Sequence, residues 1–252
     1  MDTKNKINEI FEDYQKDLES LVSFASVLDE EGHKPFGIEI QKALEEILNI
    51  SRRMGFSTYI DPEGYYGYAE IGEGEELFGV LGHIDVVPVG DINDWNTDPF
   101  ELVERDGKLY GRGSSDDKGP TLAAMHSLKL ILDEGYELDK RVRFIFGTDE
   151  ESLWRCMKAY TAKEEIPSMG FTPDSSFPLT YAEKGLIEYF LISHETSDIR
   201  LEGGGPLNAV PSQAFIDKDE EVIKALDELG YRYEIDGEDI TVYGKAMHAM
   251  AA

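Results

Sequence analysis

Four short stretches of this chain concentrate side chains that can bind metal ions or move protons: Gly82-His83-Ile84-Asp85, Gly111-Arg112-Gly113-Ser114-Ser115-Asp116-Asp117-Lys118-Gly119, Asp149-Glu150-Glu151 and Pro173-Asp174. An imidazole at a strand end can ligate a metal, and a carboxylate two residues on can orient the ring. Adjacent aspartates in a glycine-punctuated loop leave one carboxylate available to bridge two cations. Three consecutive acids repel one another and call for a compensating charge nearby. Each stretch also has an ordinary explanation: a hydrogen-bonded histidine, a helix N-cap, a solvated helix N-terminus and a turn aspartate. Together they form a set of imidazole and carboxylate donors in the chain order His, Asp, Glu, Asp. Nitrogen and oxygen donors without thiolate suit catalytic zinc, cobalt or manganese and argue against a structural zinc knot.

The elements that must position these residues are legible from hydrophobic spacing. Ile7, Ile10, Phe11, Tyr14, Leu18, Leu21 and Val22 predict one helix, and Ile40, Ala43, Leu44, Ile47, Leu48 and Met54 a second. Tyr65 to Ile71 alternates as a strand does, and Leu77 to Leu81 is a short apolar run suited to a buried strand that ends just before His83. A polar, Gly- and Asp-rich segment from Val89 to Gly119 leads into a helix through Leu122, Met125, Leu128, Ile131 and Leu132. Val142 to Phe146 reads as another buried strand, ending at the acidic triplet. Strands alternating with helices predict an α/β domain with a mostly parallel sheet and flanking helices, whose ligand sites gather outside the carboxyl ends of the strands. Past Gly185 the pattern changes to strands at Leu186–Ser193 and Ala214–Asp217, a helix at Val222–Leu229, and a hairpin from Tyr231 to Tyr243 turning at Asp236-Gly237. This predicts one α/β domain over residues 1–185 and a second, incomplete α+β domain over 186–252.

The 252 residues, 41% of them hydrophobic, suffice to bury a core. A formal net charge of −28, from 52 acidic and 24 basic residues, repels phosphate backbones and anionic membranes, so neither nucleic acid nor a membrane is an expected partner. Cys156 is the only cysteine, which excludes an intrachain disulfide and fits a reducing compartment. With no signal-peptide pattern or long apolar run, the expected location is the cytoplasm. His33, His126 and His194 lack a carboxylate partner at ligand spacing and read as structural or exposed; Trp95 reads as loop packing, and Cys156 as a buried, inert helical residue.

These motifs, with Val86-Val87-Pro88 after Asp85, Gly147-Thr148 before the acidic triplet, and Glu183-Lys184-Gly185, resemble the dinuclear zinc peptidase family of carboxypeptidase G2, aminoacylase and carnosinase. Within it the chain is most similar to the PepV-type Xaa-His dipeptidases. The resemblance spans essentially the whole chain. It makes residues 1–185 a catalytic domain and 186–252 an incomplete, ferredoxin-like lid domain. It implies two zinc ions, with manganese or cobalt as alternatives, and a small peptide substrate. His83 and Asp174 would hold one ion and Glu151 the other, with Asp116 bridging. Asp85 would orient His83, and Glu150 would be the general base that deprotonates the attacking water. The resemblance also implies a cis peptide at Asp116-Asp117. It further places His248, in Gly244-Lys245-Ala246-Met247-His248, at the oxyanion or substrate, and Asn208, in Asn208-Ala209-Val210-Pro211, near the substrate's carboxylate end.

The chain departs from the family at one point. Relatives return to the catalytic domain after the lid and supply a distal histidine to the second metal, whereas none of the five histidines here falls after position 248. The Glu151 site is therefore expected to bind its ion more weakly. Two other readings stay open: a catalytically incompetent fragment of such an enzyme, and an N-acyl amino acid deacylase, because the metal ligands do not set substrate choice.

Overall fold

The computed structural model describes residues 3–248 apart from 34, 91, 183–184, 186–191, 193–197, 204–208, 211–212 and 245–246. The chain divides into two compact units, Met1–Thr180 and Tyr181–Ala252. In the first, helices α1 (Thr3–Val22) and α2 (Ile38–Arg53) precede strands β1 (Ser57–Ile60), β2 (Tyr66–Ile71) and β3 (Leu77–His83). A short hairpin, β4 (Val103–Arg105) and β5 (Lys108–Tyr110), is followed by α3 (Lys118–Asp133), β6 (Arg141–Gly147), α4 (Arg155–Lys163) and β7 (Met169–Phe171).

The five-stranded sheet has the order β1-β2-β6-β3-β7. It is mixed: β1 and β2 run antiparallel to their neighbours, while β6, β3 and β7 are parallel. The expected α/β sheet with flanking helices is thus present, and its parallel half is the half that ends at the predicted site. Central β6 is buried from Val142 to Gly147, as its nearly continuous apolar sequence predicts for a strand covered on both faces.

Alternation along β6 assigns the two faces. Val142, Phe144 and Phe146 join the main core with Leu18, Leu44, Ile47 and Leu122 from α1, α2 and α3. Ile145 turns to the other side, where Tyr66 and Tyr160 of α4 pack. Arg143 shares that side; it is buried, ion-paired to Glu70 at 2.7 Å, hydrogen-bonded to the Tyr160 hydroxyl and stacked on Tyr68. These partners satisfy a guanidinium that burial alone would expel. Beside α4 a groove of about 730 Å³ stays open, lined by Gly79, Leu81, Ile145, Met157, Ile166 and Met169.

Both predicted N-terminal helices form, but only Leu18, Leu21 and Val22 of α1 are fully buried, while Ile7 and Phe11 are exposed. The strand predicted at Leu77–Leu81 extends to His83, which is its last residue. The short strands β1, β4, β5 and β7 carry no apolar period long enough to be read from sequence. Cys156 lies on α4 fully buried, and burial pushes its thiol up to about 11. His126 is not without a carboxylate: its Nε2 lies 3.1 Å from Asp17 Oδ2 on α1, a partner 109 residues away that no local spacing reveals. The pairing remains structural, with the ring set edge-on to Tyr14.

In the second unit, β8 (Leu201–Gly203), β10 (Gln213–Asp217), β11 (Arg232–Asp236) and β12 (Asp239–Tyr243) form an antiparallel sheet of order β11-β12-β10-β8, with α5 (Glu220–Leu229) between β10 and β11, and β9 (Ala209–Val210) preceding β10. Asp219 caps α5 by accepting from the backbone N–H groups of Glu221 and Val222. The predicted hairpin turns at Gly237, whose φ of 62° suits glycine. The two-residue strand β13 (Met247–His248) pairs with β9. The strand predicted at Leu186–Ser193 falls, apart from Ile192, outside the described residues. No helix among the described residues is long and apolar enough to cross a membrane.

Phe144, on the central strand and edge-on to Phe56, tests this core. Phe144→Ala is expected to destabilise the first unit by about 3–5 kcal/mol in urea denaturation.

Candidate metal centre

The three parallel strands deliver the candidate ligands. His83 ends β3 opposite Gly147, the last residue of β6, so the turn holding Glu150 and Glu151 leaves the sheet beside the imidazole. Asp174 lies three residues past the end of β7, the neighbour of β3 on its other side. Asp116 stands two residues before α3, in the glycine-punctuated loop. Its bond to Asp117 is cis, as the resemblance implies.

His83 is buried and its two ring nitrogens face different groups. Nδ1 donates to the backbone carbonyl of Asp85 at 3.0 Å and lies 3.5 Å from Asp85 Oδ1. Nε2 faces the acids, at 3.1 Å from Asp116 Oδ1, 3.5 Å from Asp174 Oδ2 and 3.8 Å from Glu150 Oε2. Asp85 thus engages His83 chiefly through its main chain, while its Oδ2 accepts the backbone N–H of Glu151 at 3.1 Å. One residue ties the histidine strand to the glutamate turn.

Two groups of potential ligand atoms, His83–Asp116–Glu151 and His83–Glu150–Asp174, each lie within 4.8 Å of one another. An imidazole surrounded by carboxylate oxygens, with no thiolate, suits a borderline or hard divalent cation. Electrostatics point the same way. Burial opposes charge on His83, but Asp116, Asp174 and Asp85 outweigh it and hold the imidazolium well above its ordinary range. Burial and repulsion from Asp116 push Glu151 up to about 7, with His83 opposing. Burial, then repulsion from Asp174, Asp85 and Asp116, likewise raises Glu150 against the pull of His83. Such a cluster gains from added positive charge.

Neighbouring acids that could be mistaken for ligands are accounted for otherwise. Asp149 is buried, and its carboxylate accepts from the Arg155 backbone at 2.9 Å and from the guanidinium at 2.8 and 2.7 Å. Arg155 supplies the compensating charge that the acidic triplet requires and also pairs with Glu30 at 2.8 Å. Sequence reading missed Arg155, because six residues across a turn is neither helical nor strand spacing. Lys118 is also buried; its ammonium donates to the Leu21 and Phe24 carbonyls at 2.9 Å each, and burial pushes it down to about 7 against the charge of Asp85. The segment it grips is joined to the histidine strand by Ser26, which donates to the Ile84 carbonyl at 2.7 Å. Trp95 packs its loop as expected, donating to the Val89 carbonyl at 2.9 Å.

Of the predicted site residues, His83, Asp85, Asp116, Glu150, Glu151 and Asp174 come together in the first unit. His248 contributes backbone to β13, and its side chain, like the whole of Asn208, lies outside the described residues.

Imidazole and carboxylates gathered beside the carboxyl ends of parallel strands give this α/β domain a candidate metal centre. Residues 79–251 match the model of peptidase family M20/M25/M40, and the chain belongs to that family. A putative dipeptidase of Bacillus subtilis, YtjP, is 39% identical over 262 residues, covering 95% of this chain and 56% of the relative. A putative dipeptidase of Staphylococcus haemolyticus is 36% identical over 272 residues, covering 98% and 57%. The chain therefore spans little more than half the length of either relative. Among solved structures, human carnosine dipeptidase 1 is 28% identical with a TM-score of 0.50, covering 58% of this chain and 34% of its own. The yeast dipeptidase Dug1p, from Saccharomyces cerevisiae, is 22% identical with a TM-score of 0.54, covering 62% and 36%, a likeness of fold.

Arg155→Met leaves the Asp149 carboxylate buried without its cation and is expected to cost about 3 kcal/mol in urea denaturation. Arg155→Met combined with Asp149→Asn should recover most of that loss.

Proposed function

We propose that this chain carries the metal centre of a dinuclear, metal-dependent dipeptidase. The observation that carries the proposal is the convergence of His83, Glu150, Glu151 and Asp174, at or just past the ends of three parallel strands, with Asp116 from the loop before α3, in a family whose relatives are named putative dipeptidases. By the family resemblance His83 and Asp174 would hold one ion and Glu151 the other, with Asp116 shared between them; zinc fits the donor set, as do manganese and cobalt. When bound, the ions supply Lewis acidity that polarises the scissile carbonyl and makes a water acidic near neutral pH.

The chain's own residues do the remainder. Asp85 fixes the ring through its carbonyl at Nδ1, so that Nε2 points at the carboxylates. Glu150, half-buried beside the ligands, takes the proton of the attacking water and passes it to the leaving amine. Adjacent Glu150 and Glu151 thus differ in role, one moving a proton and the other ligating. His248 meets the oxyanion or the substrate, and Asn208 the substrate's carboxylate end; both assignments rest on the family resemblance. The residues up to 185 form the catalytic domain and those from 186 on belong to the lid. The substrate is a small peptide, and the lone, buried cysteine accords with a cytoplasmic setting. The acidic surface disfavours nucleic acid and anionic membranes as partners.

Glu150→Gln should retain bound zinc, counted by elemental analysis, while dipeptide turnover falls about 10²–10⁴-fold. His83→Ala should lower the zinc count itself. Assay against dipeptides and N-acyl amino acids in parallel separates peptidase from deacylase, and zinc binding without turnover of either class would show that the chain alone is not catalytic.

A further inference from the structure

One buried carboxylate beside the centre is neither ligand nor base. Asp117 is fully buried and occupies the N-cap position of α3, yet its side chain makes no capping hydrogen bond. An N-cap aspartate ordinarily accepts from N–H groups of the first helical turn. Asp117 Oδ2 instead accepts from the backbone N–H of His83 at 3.2 Å and from the Thr121 hydroxyl at 2.7 Å. Its Oδ1 is buried without a hydrogen-bond partner among the described residues.

The strand is shaped to receive this contact. A Cβ at Gly82 would stand 2.0 Å from Thr121 Oγ1 and 2.8 Å from Asp117 Oδ2, so β3 can lie against the pair only where residue 82 has no side chain. Burying a carboxylate with one oxygen unpartnered is a poor route to stability. The geometry that results is specific, however. Asp117 follows Asp116, and its acceptor grips the main chain of His83, so one short circuit links the imidazole to the carboxylate 3.1 Å from its Nε2.

We propose that Asp117 is a positioning residue of the metal centre, holding His83 and Asp116 at ligand separation through the His83 N–H and Thr121, with Gly82 providing the close approach. The inference rests on the metal-centre reading above. It predicts that the paired ligands are held before any ion arrives, against the mutual repulsion of the surrounding carboxylates.

The test titrates the full chain with Co²⁺, reading affinity by calorimetry, ligand geometry from the visible bands and apo stability from thermal melts. Asp117→Ala is expected to weaken Co²⁺ binding about ten- to a hundredfold and to alter the bands. Asp117→Asn, which keeps an oxygen acceptor for the His83 N–H, should restore both. Gly82→Ala, which leaves every polar group in place but wedges the contact apart, should weaken binding like Asp117→Ala, and it carries the test if Asp117→Ala does not fold. Wild-type affinity and bands in folded Gly82→Ala or Asp117→Ala overturn the inference. So does Asp117→Asn failing as fully as Asp117→Ala, which marks a structural role. Co²⁺ bound equally by wild type and His83→Ala overturns the metal-centre reading itself, and the inference with it. Binding lost in His83→Ala but kept in Asp117→Ala overturns only the inference.

Discussion

One buried imidazole faces several carboxylates, and the surrounding structure serves to keep that crowd assembled. Like charges this close repel one another, least where water reaches them, as at the exposed Asp116. The buried acids behind the cluster are each tethered through something other than their own charge. Asp85 is held by the Glu151 backbone, Asp149 by Arg155, and Asp117 by the His83 main chain and Thr121. The groups left facing His83 Nε2 have less local compensation, and burial and repulsion raise Glu150 and Glu151. That imbalance is what a divalent cation would relieve.

The sheet makes this arrangement possible. A parallel pair brings two carboxyl ends to the same edge, so His83 and the Glu150–Glu151 turn emerge side by side, and β7 adds Asp174 from the next position. The antiparallel strands β1 and β2 extend the sheet on the far side of β6 and widen the surface on which α2 packs. Rigidity comes from β6, apolar toward both faces, with Arg143 as its one buried charge, accommodated by Glu70, Tyr160 and Tyr68. His83 on the end of β3 inherits the precision of that core, and the turns carrying Glu151 and Asp174 start from its parallel neighbours.

The anchoring groups also join distant parts of the chain. Lys118 reaches back to the end of α1, and Ser26, just beyond it, braces the segment after His83. The first helix therefore matters to the site although it contributes no candidate ligand. The Leu21 and Phe24 carbonyls, at and just past the end of α1, accept from this buried amine, which burial pushes down to about 7.

Much of this was legible in the sequence. The periodicities of α2 and α3 and the apolar runs of β3 and β6 were sufficient because these elements bury apolar residues at regular spacing, which the sequence reports directly; α5 shows the same spacing although only Leu226 of it is buried. The ligand types were legible because few other arrangements require a histidine and carboxylates at successive strand ends. What spacing does not report is which partner a buried polar group finds. Asp149 with Arg155, His126 with Asp17 and Lys118 with Leu21 and Phe24 are joined across turns or about a hundred residues, where no period operates. Adjacent aspartates illustrate the division. By residue type and spacing Asp116 and Asp117 are equivalent candidates for cap or ligand, and only the resemblance picks Asp116; the packing of β3 on the first turn of α3 turns Asp116 toward His83 Nε2 and Asp117 into the main chain behind it. Composition and order determined the chemistry available; tertiary packing decided which carboxylate faces the imidazole, because that depends on how closely two elements distant in sequence can approach at Gly82.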